Sequence, residues 1–142
     1  MRDGTVKALS ALHRAVFRVT RGRLGGRLPS VDGSMLLLTT TGRRSGRTHT
    51  VPLLYLRDGS DLAVIASYGG RNHHPDWYLN LVADPRGEVE IGGGRCEVAA
   101  ATVVGPDRQR LWRDAVAAYP GYEQYRARTD REIPIVRLRR VE

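Results

Sequence analysis

Cysteine, lysine and phenylalanine are almost missing from this 142-residue chain: Cys96, Lys7 and Phe17 are the only ones. A single cysteine excludes both a disulfide framework and a cysteine zinc site within one chain. No apolar run approaches the roughly 18 residues that a spanning helix needs, which excludes a transmembrane protein built on helices. The N-terminus lacks the apolar core and small-residue cleavage site of a signal peptide, so a cytoplasmic, reduced protein is expected. Several chemistries also fail on inventory. There is no G-x-S-x-G elbow and no Ser-x-x-Lys pair. The glycine-containing turn at 42–47 lacks the G-K-[ST] ending of a phosphate loop. His73 and His74 are adjacent and diverge on any regular element, and His13 and His49 have no carboxylate or cysteine at ligand spacing, so no metal site is expected.

What is abundant is arginine. Lys7 is the only lysine among 23 lysine and arginine residues, and the formal net charge is +8. Residues 1–50 carry ten basic and two acidic side chains, whereas residues 51–142 carry thirteen of each. The excess therefore lies in the first third, which favours an anionic partner there: a phosphorylated cofactor, an acidic membrane surface or nucleic acid. A nucleic-acid module is disfavoured, because clustered lysines and interleaved stacking aromatics are absent.

Chain length suits one domain, with roughly two-thirds of the unfolded surface buried. Over residues 5–21, Leu9, Leu12, Val16 and Val19 recur on one helical face while Lys7, Arg14, Arg18 and Arg21 share another. Such a helix either covers the core with its arginines in solvent or lies on anionic lipid as a peripheral anchor. Gly22, Gly25, Gly26 and Pro29 end it. Beyond it, strands are expected at 35–41, 50–56, 61–67, 88–91, 95–104 and 133–141. Asp58-Gly59 and the run Gly92-Gly93-Gly94 mark hairpins. Helices are expected at 75–82 and 106–119, with another turn or two at 122–128. Six strands joined mainly by hairpins, with flanking helices, predict an α+β antiparallel barrel.

Two clusters stand out. In Gly42-Arg43-Arg44-Ser45-Gly46-Arg47 the glycines let backbone N–H groups turn toward an anion, and three arginines add forked donors that match phosphate or carboxylate. A solvated hairpin turn is the other reading. Tyr119, Tyr122 and Tyr125 follow at spacings of three, either as ordinary packing or as the wall of a planar aromatic ligand.

At these residues the sequence resembles a known family. The run Leu36-Leu37-Leu38-Thr39-Thr40-Thr41-Gly42-Arg43-Arg44-Ser45-Gly46, Pro52-Leu53, Val64-Ile65-Ala66-Ser67 and Pro75-Asp76-Trp77-Tyr78-Leu79-Asn80-Leu81 is similar to the deazaflavin-dependent nitroreductases. So are Tyr119-Pro120-Gly121-Tyr122, Tyr125, Thr129-Asp130-Arg131 and Ile133-Pro134-Ile135. The match covers about residues 35–136. It implies a split β-barrel over 31–142, after a basic helix and loop at 1–30. It implies binding of reduced coenzyme F-420 and transfer of hydride to a quinone, nitroaromatic or conjugated lactone. The resemblance places the coenzyme's phosphate and oligoglutamate tail at Arg43, Arg44, Ser45 and Gly46, with Arg47 and Thr48 adjacent. Thr39, Pro52, Ala66, Ser67, Tyr68, Trp77 and Asn80 match positions along the rest of the cofactor. Tyr119, Tyr122 and Tyr125 match tyrosines on the acceptor side, with Leu54 standing where some relatives place an aromatic. Ser67, Tyr122 and Tyr125 are the expected catalytic donors. Tyr68 departs from the lysine that relatives often carry, and the His73-His74 loop is expected to be exposed. A coenzyme-binding protein without efficient turnover, and a split barrel using flavin mononucleotide, are the alternatives.

Overall fold

The computed structural model describes residues 34–141. The amphipathic pattern at 5–21 and the 1–30 segment lie outside the described residues.

Strand β1 (Ser34–Thr41) turns through 42–47 into β2 (Thr48–Asp58). The two are antiparallel, with Leu38 opposite Val51 and Thr41 opposite Thr48. Gly59, at φ +63°, lets the chain reverse between Asp58 and Asp61 and start β3 (Asp61–Ile65). A short 3-10 turn (Tyr68–Gly70) leads to helix α1 (Asp76–Ala83), then to the hairpin of β4 (Arg86–Ile91) and β5 (Gly94–Thr102). Helices α2 (Gly105–Ala118) and α3 (Gly121–Ala127) precede the last strand, β6 (Ile135–Arg140). The strand order β1-β2-β3-β6-β5-β4 closes on itself as an antiparallel barrel, which leaves no unpaired sheet edge.

Alternation of side chains sorts the apolar residues into two cores. Leu36, Leu38, Val64, Val89, Val98, Val136 and Leu138 fill the barrel interior, joined by Trp77 and Leu81 from α1. On the outside of β3 and β6, Ala63, Ile65 and Ile135 pack against Leu111, Trp112 and Ala115 of α2 and Tyr122 of α3. Strands β3 and β6 are thus covered on both faces, which accounts for their unbroken apolar runs.

Two strands end earlier than their apolar composition predicts. Ala66 donates its N–H to the Pro134 carbonyl, but Pro134 has no N–H to return, so the β3–β6 ladder ends at the Ile65–Ile135 pair. Ala66 and Ser67 leave the strand at that point, and residues 133–134 precede β6 rather than belong to it. The 3-10 turn at 68–70 is not among the elements expected from the sequence. Among the described residues no helix is long and apolar enough to cross a membrane, and no three His, Cys, Asp or Glu side chains group as metal ligands.

Asp58, at the end of β2, ties helix α2 to the barrel. It accepts hydrogen bonds from Arg110 of α2 and Arg137 of β6, each at 3.1 Å. These guanidiniums, Arg110 first, hold its carboxyl below the usual carboxylate value against the opposing effect of burial. A depressed folded-state pKa contributes stability that is present above the unfolded value and is lost as pH falls through the folded one. Asp58→Asn is therefore expected to lower the melting temperature by a few degrees at neutral pH, with the difference vanishing in acid. Thermal melts across an acid pH series check this, and a pH-independent difference would sink it.

Candidate active site

A cleft of about 1250 Å³ runs along β1 and β2 toward α3. That exceeds the roughly 300–1000 Å³ of ordinary small-ligand pockets and suits a long ligand.

One end is basic. In the β1–β2 turn the Gly42 N–H bonds to the Arg47 carbonyl at 2.7 Å, and the Gly46 N–H bonds to Gly42 O at 2.8 Å, with Gly46 at φ +71°. A Cβ on Gly42 would stand 2.7 Å from Ser45 Oγ and 2.9 Å from His49 Nε2, so any larger residue there displaces those two side chains. Arg43 is latched to α1: its Nη1 donates to Asn80 Oδ1 at 3.0 Å, its backbone N–H reaches the same oxygen at 3.2 Å, and Asp76 lies 3.4 Å from Nη2. Asn80 is buried and donates onward to Thr40 Oγ1 at 3.1 Å, so its amide fastens turn, helix and strand together. Arg44 also lines the cleft and has no carboxylate partner among the described residues. Ser45, Thr48 and His49 complete this end.

Midway, Trp77, Pro75 and Tyr68 form the walls. Tyr68 has φ +47°, and the Arg71 guanidinium carbon lies 4.9 Å from its ring centroid. A cation therefore stands against the Tyr68 ring.

The far end is phenolic. Tyr119 and Tyr125 share a 2.9 Å hydroxyl–hydroxyl hydrogen bond. The Tyr122 ring centroid lies 5.1 Å from that of Tyr119 and 6.2 Å from that of Tyr125. Burial, reinforced by the neighbouring phenols, pushes the Tyr122 hydroxyl well above its ordinary pKa. The hydrogen bond shared with Tyr119, then burial, pushes Tyr125 up to about 12 despite nearby Arg128. Both are neutral donors at physiological pH. Ser67 and the apolar side chains of Leu54 and Ile65 close this end. Neither the Ser67 hydroxyl nor the Tyr122 hydroxyl makes a hydrogen bond within the described residues.

Of the residues expected from sequence, Arg43, Arg44, Ser45, Thr48, Pro52, Leu54, Ser67, Tyr68, Trp77, Asn80, Tyr119, Tyr122 and Tyr125 line this one cleft. Thr39, Gly46, Arg47 and Ala66 do not. Thr39 instead bonds Thr50 across the strand pair at 2.7 Å, the Arg47 N–H caps Ser45 Oγ at 3.1 Å, and Ala66 is buried in the barrel core. Sequence reading missed His49, Arg71 and Arg128 in the lining; Gly69-Gly70, both at positive φ, was the available sign that Arg71 is returned to the site. The expected exposure holds for His73 but not for His74, which is half-buried with Arg131 Nη1 3.0 Å from its Nδ1.

The donor set fits a ligand that is anionic at one end and planar at the other, presenting an oxygen acceptor to the phenols. A closed antiparallel barrel with such a cleft is the architecture of split-barrel flavin and deazaflavin oxidoreductases. The model of the F420H(2)-dependent quinone reductase family matches residues 9–140, and the chain belongs to that family. It is 42% identical over 135 residues to an F420H(2)-dependent quinone reductase of Mycobacterium tuberculosis strain H37Rv, covering 93% of this chain and 90% of the relative. A solved F420-H2 dependent reductase superposes with a TM-score of 0.67 at 38% identity, covering 73% of this chain and 92% of that one. A structure described as a domain-swapped dimer gives a TM-score of 0.70 at 33% identity, covering 89% and 96%.

Proposed function

We propose that this chain reduces quinone-type acceptors with reduced coenzyme F-420, binding the coenzyme tail at the basic turn and the acceptor beside the tyrosines. Family membership gives the class: an oxidoreductase dependent on this deazaflavin. The observation that carries the reading is the polarity of the cleft, with Arg43 and Arg44 at one end and three phenols at the other.

Bound in its reduced form, the deazaflavin supplies a hydride to the acceptor. No protein nucleophile is needed; the chain has to bind, orient and stabilise charge. Arg44, Ser45 and Thr48 hold phosphate and carboxylate groups of the tail, while Arg43 braces the turn through Asn80 and Asp76. Trp77, Pro75 and Tyr68 shape the passage for the planar ring. As negative charge builds on an acceptor oxygen, the Tyr122 and Ser67 hydroxyls donate to it. Tyr119 and Tyr125 share one hydrogen bond in which either hydroxyl can donate, so one phenolic proton of the pair stays available to the same oxygen. Both tyrosines stay protonated through neutral pH, so either can pass on a proton. Quinones partition into membranes, and the basic amphipathic pattern at 5–21 supports a cytoplasmic protein with peripheral contact at an anionic bilayer.

Fluorescence titration with F-420 beside flavin mononucleotide, followed by menadione turnover, tests this. Binding of the deazaflavin alone with menadione reduction is expected. Binding of flavin alone would keep the barrel and overturn the reductant, and tight F-420 binding without turnover would leave a coenzyme carrier.

A further inference from the structure

Arg131 lies in the segment between α3 and β6, and it grips a stretch of chain far away in sequence. Its Nε donates to Arg71 O at 2.8 Å, Nη1 to Ala66 O at 3.2 Å, and Nη2 to Ser67 O at 2.8 Å. Nη1 also meets His74 Nδ1 at 3.0 Å. One half-buried guanidinium thus binds three carbonyls of the 66–71 segment, with no carboxylate partner among the described residues.

That segment needs external support. Tyr68, Gly69 and Gly70 all have positive φ (47°, 64° and 79°), a conformation that costs free energy at Tyr68 in particular. Its internal bonds are few: Gly70 N–H to Ser67 O at 2.9 Å, and Arg71 N–H to Tyr68 O at 3.3 Å. On its other side it sits directly on α3, where a Cβ on Gly70 would come 2.7 Å from Tyr125 O. The segment carries Ser67, and α3 carries Tyr122 and Tyr125. Whatever fixes the segment against α3 sets the spacing between those hydroxyls.

We propose that Arg131 is a positioning residue for this reaction: its fork locks the 66–71 segment against α3, so that Ser67 and the α3 tyrosines address the same acceptor oxygen. This rests on the reductase reading above. Lysine cannot substitute, because the three N–H donors of one ammonium cannot reach the four acceptors that the guanidinium fork serves.

The test compares wild type with Arg131→Lys by hydrogen exchange on the full chain without ligand, then by F-420 titration and menadione turnover. Exchange at the Ala66, Gly70 and Arg71 amides is expected to speed up roughly tenfold or more, through local rather than global opening. Turnover is expected to fall roughly tenfold while F-420 affinity changes less than about twofold, since charged hydrogen bonds are lost at the loop and not at the tail. Unchanged exchange at these amides overturns the proposal. So does exchange that rises evenly over the barrel with a lower melting temperature, because the role would then be general stability. Should the lysine variant fail to fold, His74→Leu removes a single acceptor, and a smaller rise confined to the same amides is expected. No rise there counts against the lock. If wild type itself neither binds F-420 nor reduces menadione, the functional reading fails while the exchange comparison still decides the lock.

Discussion

Arg44→Ala is expected to weaken F-420 binding by about tenfold to a hundredfold, the roughly 1.5–3 kcal/mol of one charge-assisted contact. Arg44 is the informative choice because of what Arg43 is doing. The Arg43 guanidinium lies 3.4 Å from Asp76 and bonds Asn80, so its removal would loosen the turn from α1, leaving only the backbone N–H bond to Asn80, as well as subtract a charge. Arg44 has no such carboxylate among the described residues, and its loss leaves the Gly42–Arg47 closure and the Asn80 bonds intact. The melting temperature should therefore stay near that of wild type. Because Arg44 is exposed, the deficit should shrink as salt screens the wild-type contact. Fluorescence titrations at two ionic strengths measure both effects. Equal affinity for the two proteins would place the anionic tail elsewhere and make the arginine turn ordinary surface.

The barrel was legible because its strands carry their own signals. Apolar runs, Asp58-Gly59 and the glycines at 92–94 locate all six strands in order, Pro75 marks the start of helix α1, and Pro120-Gly121 marks the end of α2. Legibility ends where contacts join distant segments. Arg131 reaches its four acceptors across 57 to 65 residues, and although Thr129-Asp130-Arg131 belongs to the resemblance, nothing in the local sequence says what this arginine holds. Asn80 matches a cofactor-lining position and does border the cleft, yet its amide is spent on Arg43 and Thr40, 37 and 40 residues away. The strand ends show the same limit. Val64-Ile65-Ala66-Ser67 reads as continuous strand, but its partner is preceded by Pro134, which cannot donate, so Ala66 and Ser67 depart from the sheet. That departure puts Ser67 in the cleft.

Tyr122→Phe is expected to reduce turnover about a hundredfold, within the range for loss of a positioned proton donor, while F-420 affinity changes little. Tyr122 is 7% exposed, packed on Trp112 and Tyr119, and its ring keeps those contacts as phenylalanine. Its hydroxyl makes no hydrogen bond within the described residues, so deletion leaves no orphaned partner and the melting temperature should hold. Tyr125 differs, because removing its hydroxyl also strips Tyr119 of its 2.9 Å partner. Burial holds the Tyr122 phenol protonated well beyond the ordinary tyrosine range, so wild-type turnover should stay flat past the usual tyrosine pKa of about 10, where a normal phenol would ionise. Steady-state rates with menadione across that range, set beside direct F-420 titrations of both proteins, decide it. A large loss of coenzyme affinity with unchanged turnover at saturation would move Tyr122 from the acceptor to the face of the deazaflavin.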